Sequence, residues 1–114
     1  MAIPSGSGTE VLKVGKIHAL SSGTGTIITG VANHVYTVLS IVFTNMVGTA
    51  GLIDMSILDG GVTYMLLRKA PIAIDATFVF NDKIVLSGAA NLQMNLDTSG
   101  DTDGWCSYID QDFT

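Results

Sequence analysis

The segment that most limits what this chain can fold into is Val35 to Asn45, VYTVLSIVFTN. β-Branched and aromatic residues dominate it, and such side chains suit a pleated strand better than a helix. Val35, Thr37, Leu39, Ile41 and Phe43 alternate with Tyr36, Val38, Ser40, Val42 and Thr44. Both sets are largely apolar, which predicts a strand buried on two sides.

An uncharged stretch surrounds this strand, from Ile17 to Ile53. A membrane-spanning helix needs about 20 predominantly apolar residues with interfacial anchors. The most apolar part, Val35 to Val47, is interrupted by Thr37, Ser40, Thr44 and Asn45 and has no flanking basic cluster. No membrane partner is expected. The start, MAIPSGSGTEV, has neither the basic nor the apolar region of a secretory signal.

Further strands are predicted on both sides of the central one. Val11 to Leu20 forms a first strand with a break at Gly15, and Thr26 to Thr29 is a β-branched run closed by Gly30. Leu52 to Leu58 alternates, with Ile53, Met55 and Ile57 opposite Asp54 and Ser56. Asp59-Gly60-Gly61 is the clearest hairpin signal, because a tight reversal needs the positive φ that glycine adopts freely. Val62 to Arg68 returns, and Ala70-Pro71-Ile72 is expected to break it, since proline lacks the ladder donor. Strands follow at Thr77–Phe80, Lys83–Leu86, Asn91–Leu96 and Trp105–Asp110, with Gly88 and the Gly100/Gly104 region as reversals.

No stretch holds a 3.6-residue period with caps. About eight short strands with Gly/Asp/Asn turns predict a single-domain, all-β, antiparallel sandwich of jelly-roll-like form. The Gly/Ser/Pro-rich start sets off residues 1–10 as a flexible arm and 11–114 as the domain.

Charged residues make up 13% of the chain and hydrophobic ones 47%. Soluble domains carry nearer a quarter charged residues, so part of this surface is expected to lie against a partner. The net charge is −5. Without a basic stripe the chain gains little from counterion release, which argues against direct nucleic-acid binding.

Candidate chemistry is sparse. His18 and His34 are the only histidines and Cys106 the only cysteine, and no acid or base stands at a motif spacing from any of them. A lone cysteine on an apolar strand is a small buried hydrophobe. Gly23, Gly25 and Gly30 lack the GK[ST] ending of a phosphate loop, and Gly15-Lys16 fails likewise. No catalytic residue and no cofactor are expected.

One segment resembles a cation loop. In SGDTDGWCSYID, Asp101, Asp103 and Gly104 stand at positions three, five and six of a calcium loop, and Asp110 stands at position twelve. Ser99 replaces the usual first aspartate, and no flanking helix is evident. The competing reading is an Asp/Gly turn into the last strand. Trp105 and Tyr108 are the candidates for a glycan-binding platform, against a core role for most aromatics.

The order of segments MAIPSGSGTEVLK, YTVLSIVFTN, DMSILDGGVTY, KIVLSGAANLQM and SYIDQDF covers most of the chain. It resembles small virion structural proteins of tailed bacteriophages, especially capsid decoration (cement) proteins and related fibre or neck sandwiches. That resemblance implies a non-enzymatic virion component made in the host cytoplasm. It implies a partner such as the major capsid protein and a homo-oligomer, with a trimer as the expected form. A cement role would use residues Ala2 to Glu10 as a clamp, with Ile3, Pro4, Ser5, Thr9 and Glu10 touching the partner. Tail, neck or head-fibre components and a virion glycan-binding module are the alternatives.

Overall fold

The computed structural model describes residues 9–20, 23–46, 51–96 and 101–113. Among these, the strands are β1 (Thr9–Leu20), β2 (Gly23–Ile28), β3 (His34–Asn45), β4 (Gly51–Asp59), β5 (Val62–Ile72), β6 (Thr77–Phe80), β7 (Ile84–Ser87), β8 (Asn91–Leu96) and β9 (Thr102–Asp112). There is no helix among the described residues, hence none long and apolar enough to cross a membrane.

The protein is an all-β sandwich of two antiparallel sheets. One has the order β1-β9-β3-β6, with β7 also paired to β3; the other has the order β2-β8-β4-β5. The first four strands alternate between the sheets, and β9 returns to lie between β1 and β3. The β4–β5 hairpin turns on Gly60 and Gly61, at φ of 59° and 79°, with Asp59 opposite Val62. That is the two-residue turn whose twist matches its strands.

Phe43, Ile41, Val38, Ile53, Met55, Leu92, Met94 and Cys106 pack at the centre with almost no exposed surface. Strict alternation along β3 does not survive. A bulge between Val38 and Ser40, where β3 pairs with β9, switches the inward parity. Tyr36 and Val38 point into the core before it, and Ile41 and Phe43 after it. The expectation of a β3 buried on two sides holds only in part: its other face lies on the outside of the sandwich, with Val35 buried but Thr37 and Val42 half-buried.

Three predicted breaks are corrected as well. β1 runs through Gly15, where a Cβ would lie 2.5 Å from the Ile27 carbonyl oxygen; that glycine lets β1 and β2 approach closely. Gly104 lies inside β9, where a Cβ would come within 3.3 Å of the Phe43 ring. β5 continues past Pro71 to Ile72, because it is an edge strand and needs no donor on its free side. Thr9 and Glu10, assigned to the arm, are the first residues of β1 and pair with Asp112 and Gln111.

Candidate functional site

Residues directly opposite one another in antiparallel strands share a face, so the pairing registers define the outside of each sheet. On the five-stranded sheet, Val79, Val42, Trp105 and Lys16 form one row across β6, β3, β9 and β1. Val85, Thr37, Ile109 and Leu12 form another across β7, β3, β9 and β1. Ser40, Ser107 and Val14 lie between them. Leu12 is 70% exposed, and Val14, Val79, Val85 and Trp105 are each about half exposed. This face is largely apolar, and among the described residues no other sheet covers it.

Trp105 stands at the middle of its row. The Lys16 ammonium lies 6.0 Å from its ring centroid, within the range of a cation–π attraction. Beside the ring is a hollow of about 240 Å³ lined by Lys16, Ile17, His18, Val42, Asp103, Gly104 and Trp105. Its polar rim is ordered by Asp103, whose Oδ1 accepts from the Ala19 amide at 2.7 Å and lies 3.0 Å from His18 Nδ1. That contact seats the β1 bulge, where Ala19 takes a φ of 52°.

A second polar cluster sits on the inner side of the same sheet. Asp110 is buried and accepts from Lys13 Nζ at 2.7 Å and from the His34 Nδ1–H at 2.7 Å. His34 Nε2 lies 3.4 Å from Asp112, and the His34 ring stacks on Tyr36, which meets Tyr108 edge-on. Burial alone would push the Asp110 carboxyl up, but the hydrogen bonds and charges of Lys13 and His34 outweigh it and hold it below its ordinary value. The same hydrogen bond raises the Lys13 ammonium. The cluster ties β1, β9 and β3 together and is structural in form.

The candidates singled out from the sequence scatter. Asp103 and Asp110 lie on one extended strand, about 23 Å apart at the ~3.3 Å rise of a strand, and each is committed to different partners. Asp101 precedes that strand. A twelve-residue calcium loop must curl its ligands around one point, and Asp103 and Asp110 are not so arranged. Among the described residues no group of three or more His, Cys, Asp or Glu could hold a metal. Trp105 and Tyr108 are three residues apart on β9 and point to opposite faces, so they form no common platform. Cys106 is fully buried, and burial pushes its thiol up to about 12, which leaves it inert as a nucleophile. Ile3, Pro4 and Ser5 lie outside the described residues. The apolar outer face and the Lys13–Asp110–His34 cluster were not singled out from the sequence; the low charge content was the only signal of the former.

No protein-family model matches the chain, and no curated protein matches it in sequence. Solved structures do share its fold. A subunit of the disulfide-linked pili of Bacillus endospore appendages superposes with a TM-score of 0.57 at 14% identity, over 100% of this chain and 96% of that one. A chain of the T13 particle of infectious bursal disease virus gives 0.58 at 11% identity, over 93% of this chain and 32% of that one. This protein thus spans about a third of that viral chain. A chain of the capsid of Helicobacter pylori bacteriophage KHP30 gives 0.55 at 8% identity, over 92% and 89%. The protein therefore has the fold of a β-sandwich found in viral capsid proteins and in a bacterial pilus subunit.

Proposed function

We propose that this chain is a non-enzymatic structural protein of a phage virion, and specifically a capsid decoration protein that seats the outer face of its five-stranded sheet on the shell protein. The observation that carries this reading is the apolar face centred on Trp105, with its rows of exposed valine and leucine. A half-exposed tryptophan with Val42 on one side and Lys16 on the other, on a sheet face that also exposes Leu12, Val14, Val79 and Val85, has the make-up of an aromatic anchor in an interface. The likeness in fold to capsid chains of two viruses supports the setting. The clamp expected of residues 2–10 belongs to the same proposal, with Thr9 and Glu10 contributing from β1 and not from an arm.

A disulfide-linked polymer is not proposed. The single cysteine is buried and its thiol is held protonated, so it offers no bond to a neighbour. Quantitative mass spectrometry of purified particles against the major shell protein tests the decoration role. A high copy number in simple ratio to the shell protein is the expected result. A handful of copies moves the chain to the neck, tail or fibre, and none at all overturns the virion reading.

A further inference from the structure

Each sheet of the sandwich has two edges, and three of the four are blunted. β5 carries Pro71, a positive φ at Lys69 and two register shifts against β4. β2 is six residues long and also bulged. β6 and β7, which share the far side of the five-stranded sheet, have four residues each. Short strands, bulges and prolines are the devices that keep edges from pairing with other chains.

β1 has none of them over most of its length. Its pairing with β9 is regular from Thr9 to Ile17, and residues 9–14 are exposed on both faces. Val11 points inward and is still 47% exposed, so the second sheet does not cover this half of the strand. A long regular edge with exposed Val11, Leu12 and Val14 is a template for another strand.

We infer that β1 pairs antiparallel with β1 of a second copy of this chain, about a two-fold axis at Lys13. In that register Glu10 faces Lys16 of the second copy, and Lys16 faces its Glu10. Leu12 faces Val14 in both directions, and Val11 faces Gly15. Opposite charges meet at both Glu10–Lys16 pairs and apolar side chains at both Leu12–Val14 pairs, which is cross-strand complementarity that stabilises a ladder; the central Lys13 pair is the one like-charge step. The two central lysines meet on the inner side, where each is already neutralised by its own Asp110 at 2.7 Å. β1 contains one acid and two lysines within a chain of net charge −5, so repulsion between copies is least along this edge.

The pairing joins two five-stranded sheets into one and turns both Trp105 faces the same way, because residues opposite in a ladder share a face. It consumes the one open edge among the described residues, so it closes at two copies and builds no trimer. This goes beyond the decoration proposal and holds whether or not the chain sits on a virion.

Sedimentation equilibrium on the full chain tests it, with an expected mass of twice 11.9 kDa. Charge reversal then tests the register. Glu10→Lys or Lys16→Glu alone is expected to weaken the dimer about tenfold at low salt, and the double variant to recover it to within about twofold. Positions 10 and 16 are about 20 Å apart along one strand, so recovery can only arise between copies. A chain that stays monomeric up to about 1 mM, a trimeric mass, or single reversals whose effects simply add would each overturn the inference.

Discussion

The two outer faces of this sandwich are built from the same kind of strand and carry opposite chemistry. Outside the five-stranded sheet, Trp105 shares its face with Val42, Val79, Val85, Val14, Leu12 and Ile109, with Lys16 beside its ring. Outside the four-stranded sheet, Thr24, Asn95 and Asp54 form one row, and Thr26, Gln93, Ser56 and Met65 another. Each face has a hollow of similar size, about 240 Å³ beside Trp105 and about 220 Å³ beside Asp54 and Arg68. Size therefore does not distinguish them. The first would release ordered water from apolar surface when covered. The second would have to replace hydrogen bonds to water at nearly every residue, which gains little. On the decoration proposal, the first face is the one that meets the shell and the second the one that stays in solvent.

Substituting the centre of the apolar face should break this contrast most sharply. Trp105→Asp is expected to weaken binding to decoration-free particles by about 3 kcal/mol or more, roughly a hundredfold, as for a buried aromatic anchor. Gln93→Asp on the other face should change it by less than about twofold. Co-sedimentation of both variants with particles gives the comparison directly, and equal losses would remove the distinction between the faces.

Both faces stand on one core, and two substitutions test that support. Gly15→Ala places a methyl against the Ile27 carbonyl oxygen, a backbone atom that cannot turn aside. A loss of about 2 kcal/mol in urea unfolding is expected. Asp110→Asn removes the buried carboxylate between Lys13 and His34 and should cost a similar amount, about 2 kcal/mol at neutral pH. The pH dependence has a definite sign. The folded Asp110 pKa lies below its ordinary 3.8, so its contribution is fully present above that value and is lost as pH falls through the folded pKa. Thermal melts should show the native chain losing stability in that acid range more steeply than Asp110→Asn.

The smallest effect concerns the thiol. Cys106 should resist alkylation at neutral pH in the folded chain and react fully in denaturant. Rapid labelling of the folded chain would reopen a disulfide-linked assembly.

Local pattern carried much of the fold. The boundaries of β6 and β8 match the predicted Thr77–Phe80 and Asn91–Leu96, because alternation and the flanking turn residues are written in neighbouring positions. The Gly60-Gly61 reversal was legible for the same reason. Gly15, Gly104 and Pro71 misled because their roles are set by what lies across from them. Gly15 makes room for Ile27, Gly104 for Phe43, and Pro71 is accommodated by an unpaired edge. The cluster around Asp110 was hidden likewise: Lys13 is 97 residues away in sequence and His34 is 76.

Residue type and order alone determined that this chain is all-β, that a hairpin reverses at Gly60-Gly61, and that it has more apolar surface than one core needs. Those properties depend on residue type and short-range period. The tertiary structure decided where the surplus goes. One bulge between Val38 and Ser40 sets which side chains of β3 enter the core, and the order β1-β9-β3 gathers the remainder around Trp105. A shift of one residue exchanges the faces of a strand, and that choice is made by pairing between segments far apart in the chain.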